Sequence, residues 1–81
     1  MERNKNKKKH VVLVVVCNRD IEVNYYSSYE EAYESMRNEL SQVVGVPLWN
    51  LKSYEKNYYG LCDNDAWANA PDGNMWDWKI A

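Results

Sequence analysis

The residues that could do chemistry in this chain are few and scattered. His10 is the one imidazole, and it adjoins a run of lysines, a poor mounting for an oriented general base. Cys17 and Cys62 are far apart in sequence, and no spacing argues for a cysteine–histidine pair with an orienting group. Asp63-Asn64-Asp65 begins like a calcium loop. Its sixth position is Ala68 instead of Gly and its twelfth is Asn74 instead of Glu, so the EF-hand pattern fails. One His and two distant Cys do not make a zinc site either. The three glycines, at 45, 60 and 73, each stand alone, which leaves no phosphate-binding loop. Carboxylates are plentiful, but nothing in their spacing gathers them around a cleft. The expectation is therefore a protein that is not an enzyme, with no catalytic residue, no metal and no cofactor.

The aromatic residues point elsewhere. The chain has four Trp, seven Tyr and no Phe, so every ring carries a polar tip that needs a hydrogen-bond partner or water. That is more rings than one small core can readily enclose. Tyr and Trp enrichment is typical of binding surfaces. The competing reading is that the rings line a shallow core and its rim. The candidate anchors for a protein partner are Trp67, Trp76 and Trp78, with Trp49 and Tyr58 as outer contacts.

Charge suggests a second reading. Residues 1–9 hold five basic groups and one acid, or +4, and the remainder holds five basic and eleven acidic groups, or −6, for the total of −2. A flexible basic arm over 1–9 thus precedes a single acidic domain over 10–81. Lys5, Lys7, Lys8 and Lys9 could neutralise phosphates while exposed rings stack on bases, which would suit a nucleic-acid-binding accessory protein. The acidic body opposes it by repelling the same backbone.

The seven-residue apolar run Val11–Cys17 after this arm resembles a signal peptide only superficially. It is short, no small residue precedes Cys17, and a bilayer span needs about 20 residues. With two cysteines and no disulfide framework, the expectation is a cytoplasmic protein without membrane contact or an evident small-molecule substrate.

The elements that must position these residues follow from periodicity. A valine run of this kind reads as a buried strand from about 10 to 18. Asn18-Arg19-Asp20 is a turn, and Ile21-Glu22-Val23-Asn24-Tyr25 alternates as a half-buried strand does, giving a hairpin. Ser28-Tyr29-Glu30-Glu31 is a capping box. Tyr29, Ala32, Tyr33, Met36, Leu40, Val43 and Val44 then keep 3–4 spacing up to Gly45, which predicts a helix over about 28–44. Residues 47–56 read as a short helix or an irregular connection. Residues 57–62 read as a strand. Residues 66–70 and 75–80 pair across Pro71-Asp72-Gly73-Asn74. The fold class is α+β: an antiparallel sheet of about four or five strands in ββαβββ order, with one long helix on one face.

The first strand is apolar on both faces, Val12, Val14 and Val16 on one, and Val11, Leu13, Val15 and Cys17 on the other. One helix covers one face, so the second must meet residues 47–56, the C-terminal tryptophans or another chain.

Ala66-Trp67-Ala68-Asn69, followed by Asp77-Trp78-Lys79-Ile80 and preceded by Tyr29-Glu30-Glu31-Ala32, resembles small bacterial and phage proteins of unknown function. In those proteins the segment between the two C-terminal motifs usually contains a His, which Ala70–Trp76 lacks. The resemblance implies a fold and a bacterial or phage setting but no activity. Small phage proteins of this size often inhibit host proteins by binding them. The sequence thus favours a small non-catalytic binding protein, for a protein partner or itself, over a nucleic-acid-binding one.

Overall fold

The computed structural model describes residues 11–51 and 58–81. The lysine arm, His10 and the segment 52–57 lie outside these residues. Strands β1 (Val11–Cys17) and β2 (Asp20–Tyr26) form the first hairpin, followed by helix α1 (Tyr29–Val44) and a short 3-10 turn at Leu48–Asn50. Strands β3 (Tyr59–Leu61), β4 (Asp65–Asn69) and β5 (Met75–Ile80) complete the expected ββαβββ order. All pairings are antiparallel, and the five strands lie in the order β2-β1-β5-β4-β3. Among the described residues no helix is long and apolar enough to cross a membrane.

Local chemistry explains the helix limits. The Ser28 hydroxyl accepts the Glu31 N–H at 3.2 Å, satisfying one of the amides that a helix start leaves open. The Glu31 carboxylate reaches back one residue further than the capping-box pattern predicts. It takes both the N–H (3.2 Å) and the hydroxyl (2.9 Å) of Ser27. Gly45 closes the helix at φ 72°, where a Cβ would be strained, and its N–H returns to the Ser41 carbonyl.

Register decides what the helix covers, because residues directly opposite each other share a face. Val15 lies opposite Trp78, and Trp78 lies opposite Ala66. This places Leu13, Val15, Ala66, Ala68, Trp78 and Ile80 together, facing Ala32, Met36, Leu40 and Val44 of α1 in one buried cluster with Tyr59 and Leu61. The Trp78 indole N–H leaves this cluster to donate to Glu39 Oε1 at 3.0 Å, so the largest buried ring keeps its polar tip satisfied.

The face of β1 that goes inward is chosen by strands distant from it in sequence. Had Val12, Val14 and Val16 turned toward the helix, Asp77, Lys79 and Asp65 would have gone with them, since they share that face. Burying three charges beneath one helix is far costlier than burying Leu13 and Val15 instead.

Two measurements by urea denaturation check this account. Ser28→Ala should lower the unfolding free energy by about 1 kcal/mol through the lost cap. Trp78→Ala should cost about 3–5 kcal/mol, enough to unfold much of so small a domain.

Candidate functional site

The outer face of the sheet, opposite α1, carries the apolar groups that the helix does not cover. Val12, Val14 and Val16 are half-buried there, and beside them on β2 stand Ile21, Val23 and Tyr25, exposed by 69%, 45% and 66%. Met75 of β5 adds a side chain exposed by 61%.

Strand β2 is the unusual element. In most half-buried strands the apolar residues turn toward the core. Instead Ile21 pairs with Val16 and Val23 with Val14, so they lie on the outer face, while Asp20, Glu22 and Asn24 point to the helix side. The hairpin turn enforces this. A two-residue connection pairs Cys17 with Asp20, and a slip of one residue would exchange the two faces of β2. Asn18 prevents the slip. It sits at φ 57°, a left-handed conformation that Asn tolerates better than most residues. Its side chain accepts the Met75 N–H at 3.0 Å and donates to Asn74 Oδ1 at 2.9 Å, while its own N–H donates to the Met75 carbonyl. Asp72 in turn accepts the Asn74 backbone N–H and its side-chain amide. The β1–β2 turn is thus tied to the β4–β5 turn.

The polar side of β2 faces an open groove of about 740 Å³ beneath α1, lined among others by Glu22, Glu30, Glu31, Glu34 and Glu39. Tyr26 crosses this gap, its hydroxyl 2.7 Å from the Ser35 hydroxyl. Arg37, 3.6 Å from Glu34, is the one basic side chain paired with these acids among the described residues. The groove gathers like charges, and the outer face gathers exposed apolar groups.

The candidate contact residues divide among several places. Trp67 lies on the outer face, half-buried, folded over Gly60, which stands opposite it on β3. A Cβ on Gly60 would run into the indole Nε1 and lie 2.9 Å from Cδ1, so the glycine is what seats the ring. Trp76 and Trp78 are on the helix side, stacked at 5.5 Å between centroids and 12° between planes. Trp78 is a core residue at 1% exposure and Trp76 a half-buried neighbour packed against the core, so neither belongs to the outer face. Trp49, in the 3-10 turn, is 84% exposed. Tyr58, just before β3, is 41% exposed and packs edge-on against Tyr59. Lys5, Lys7, Lys8 and Lys9 lie outside the described residues.

The outer-face residues that sequence reasoning did not single out are Ile21, Val23, Tyr25 and Met75. The signal was present in the short Asn18-Arg19 turn, which sets the parity of β2 against β1.

The groups considered for chemistry remain dispersed. Cys17 is half-buried and Cys62 exposed, with no disulfide between them. Desolvation, then the carboxylates of Asp20, Asp72 and Glu39, push the Cys17 thiol above its ordinary value, opposing the thiolate form that nucleophilic chemistry needs. Among the described residues no three His, Cys, Asp or Glu side chains converge as metal ligands. Comparisons with known protein families, with characterised proteins and with solved structures each find no match to the chain.

The Gly60–Trp67 contact is open to a double-mutant cycle. Gly60→Ala alone should cost about 1–3 kcal/mol as the ring is displaced. In a Trp67→Ala background the same change should be nearly neutral, so the two should couple by at least about 1 kcal/mol in denaturant melts.

Proposed function

We propose that this chain is a non-catalytic protein-binding module whose recognition surface is the outer face of its sheet. The observation that carries the reading is the inverted polarity of β2. Ile21 and Val23 stand in water while Glu22 faces a groove already lined by helix carboxylates. A local arrangement that conflicts with the folding preference of its own sequence, and is held by the Asn18 tether, is the kind of feature found where function overrides stability. Exposed aliphatic groups on β1 and β2, with a half-buried tryptophan on the same face beyond β5, are suited to a flat or strand-like protein surface, where covering them releases water. The same face is nearly balanced in charge, with Asp65, Asp77 and Lys79 at its β4–β5 side, so it neither attracts nor repels a partner strongly at long range. For a nucleic acid, the acidic groove adds repulsion on the other side of the domain.

The test is a comparison of wild-type protein with an Ile21→Lys, Val23→Lys variant, both immobilised and exposed to extract from the source cells. Both positions are exposed on an edge strand, where lysine is well tolerated, so stability should change by no more than about 1 kcal/mol. The variant should lose a protein that the wild type retains. Identical retention by two folded proteins would remove this face as the recognition surface.

A further inference from the structure

We infer that the partner of the outer face is a second copy of this chain, stacked sheet on sheet about a two-fold axis. This rests on the outer face being a protein-binding surface and names its occupant. The argument comes from the registers. Val15, Glu22, Trp78 and Ala66 form one row across β1, β2, β5 and β4, all pointing to the helix side. On the outer face this row is flanked by two others. One contains Ile21, Val16, Asp77 and Trp67, and the other contains Val23, Val14, Lys79 and Asp65.

A two-fold axis parallel to that central row, at its level, lays each flanking row of one copy over the opposite row of the other. Ile21 then meets Val23 of the second copy, Val16 meets Val14, and Asp77 meets Lys79. The symmetry makes each of these contacts occur twice. Trp67 lies over Asp65 of the second copy, a carboxylate that stands opposite Lys79 in its own sheet. The face is therefore self-complementary in charge as well as in shape class: aliphatic on aliphatic along β1 and β2, acid on base along β5. Stacked sheets with aligned strands and interdigitated side chains are a common packing mode. Five strands with this spacing present about 20 × 20 Å, on the order of the 500 Å² per partner at which a specific interface begins. Apolar contact supplies the association, and Asp77 with Lys79 sets its register, as charges at interfaces commonly do.

A charge-swap experiment tests this arrangement. Asp77→Lys yields a chain with two bases at the crossing point, and Lys79→Glu a chain with two acids. Both positions are exposed. Sedimentation velocity from about 1 µM to about 1 mM should show wild type dimerising. Each variant alone should associate roughly tenfold or more weakly, because like charges now face each other twice. An equimolar mixture should recover the wild-type affinity, since each Asp77→Lys chain then meets a Lys79→Glu chain with opposite charges opposed; recovery also shows that both variants are folded. A dimer insensitive to either reversal, or weakened variants that stay weak when mixed, overturns the proposed pairing. A wild type that remains monomeric throughout overturns the second-copy partner altogether. The protein-binding reading would then still be judged on the separate comparison of the Ile21/Val23 variant.

Discussion

Three charges on one face of two neighbouring strands constrain nearly everything else in this domain. Asp65, Asp77 and Lys79 alternate with Ala66, Trp78 and Ile80, so β4 and β5 have one side that the apolar stripe of a helix can cover and one whose charges that stripe cannot satisfy. β1 is apolar on both sides and would accept a helix on either. Because β5 pairs with β1, its charges exclude one of the two choices. Leu13 and Val15 join the core, and Val12, Val14 and Val16 are left outside. The desolvation cost of a buried, unpaired charge is larger than any packing difference between these two sets of aliphatic side chains.

That decision has a consequence at the other edge of the sheet. β2 can satisfy its own hydrophobic pattern only by sharing the helix side with Leu13 and Val15, and its two-residue connection to β1 forbids this. Asn18 suits that short connection with its left-handed backbone and anchors it to Met75 and Asn74 across the sheet. The outcome is a domain with two contrasting sides: a carboxylate-lined groove between β2 and α1, and an outer face with aliphatic groups on β1 and β2 and Trp67 on β4, across the charges of β5. The exposed patch is therefore a product of the fold's strongest constraints, whereas a lone surface leucine or valine would be unremarkable.

The aromatic residues serve the two sides differently. Trp78 fills the space beneath α1 and uses Glu39 to satisfy its indole N–H, Trp76 stacks on it, and Tyr26 spans to Ser35 across the groove. Tyr29 ties the helix start to the turn before β4 by donating to the Asp63 carbonyl. Its phenol is pushed upward by desolvation and then by the Asp63 carboxylate, which keeps the proton on the donor. Absence of Phe from the chain is consistent with this use, since these rings act through a polar tip as well as through their area. Trp67 is seated over a glycine on the exposed face.

Much of this was legible in the sequence, wherever the governing interaction is local. Ser28, Glu31 and Gly45 mark the helix because caps act within one turn. Pro71 to Asn74 marks a turn because backbone geometry there depends on the residues themselves. The two apolar faces of β1 already implied that one of them would need cover from elsewhere. Which face that would be, and that Trp78 is core while Trp67 is surface, was decided by tertiary structure alone. Alternation states that Trp76 and Trp78 share a side but assigns no side. The assignment came from pairing β5 with β1, more than fifty residues earlier in the chain, which makes the charges of one strand choose the buried face of another. Physically, period-two patterns are symmetric under exchange of faces, and only a contact between distant strands breaks that symmetry.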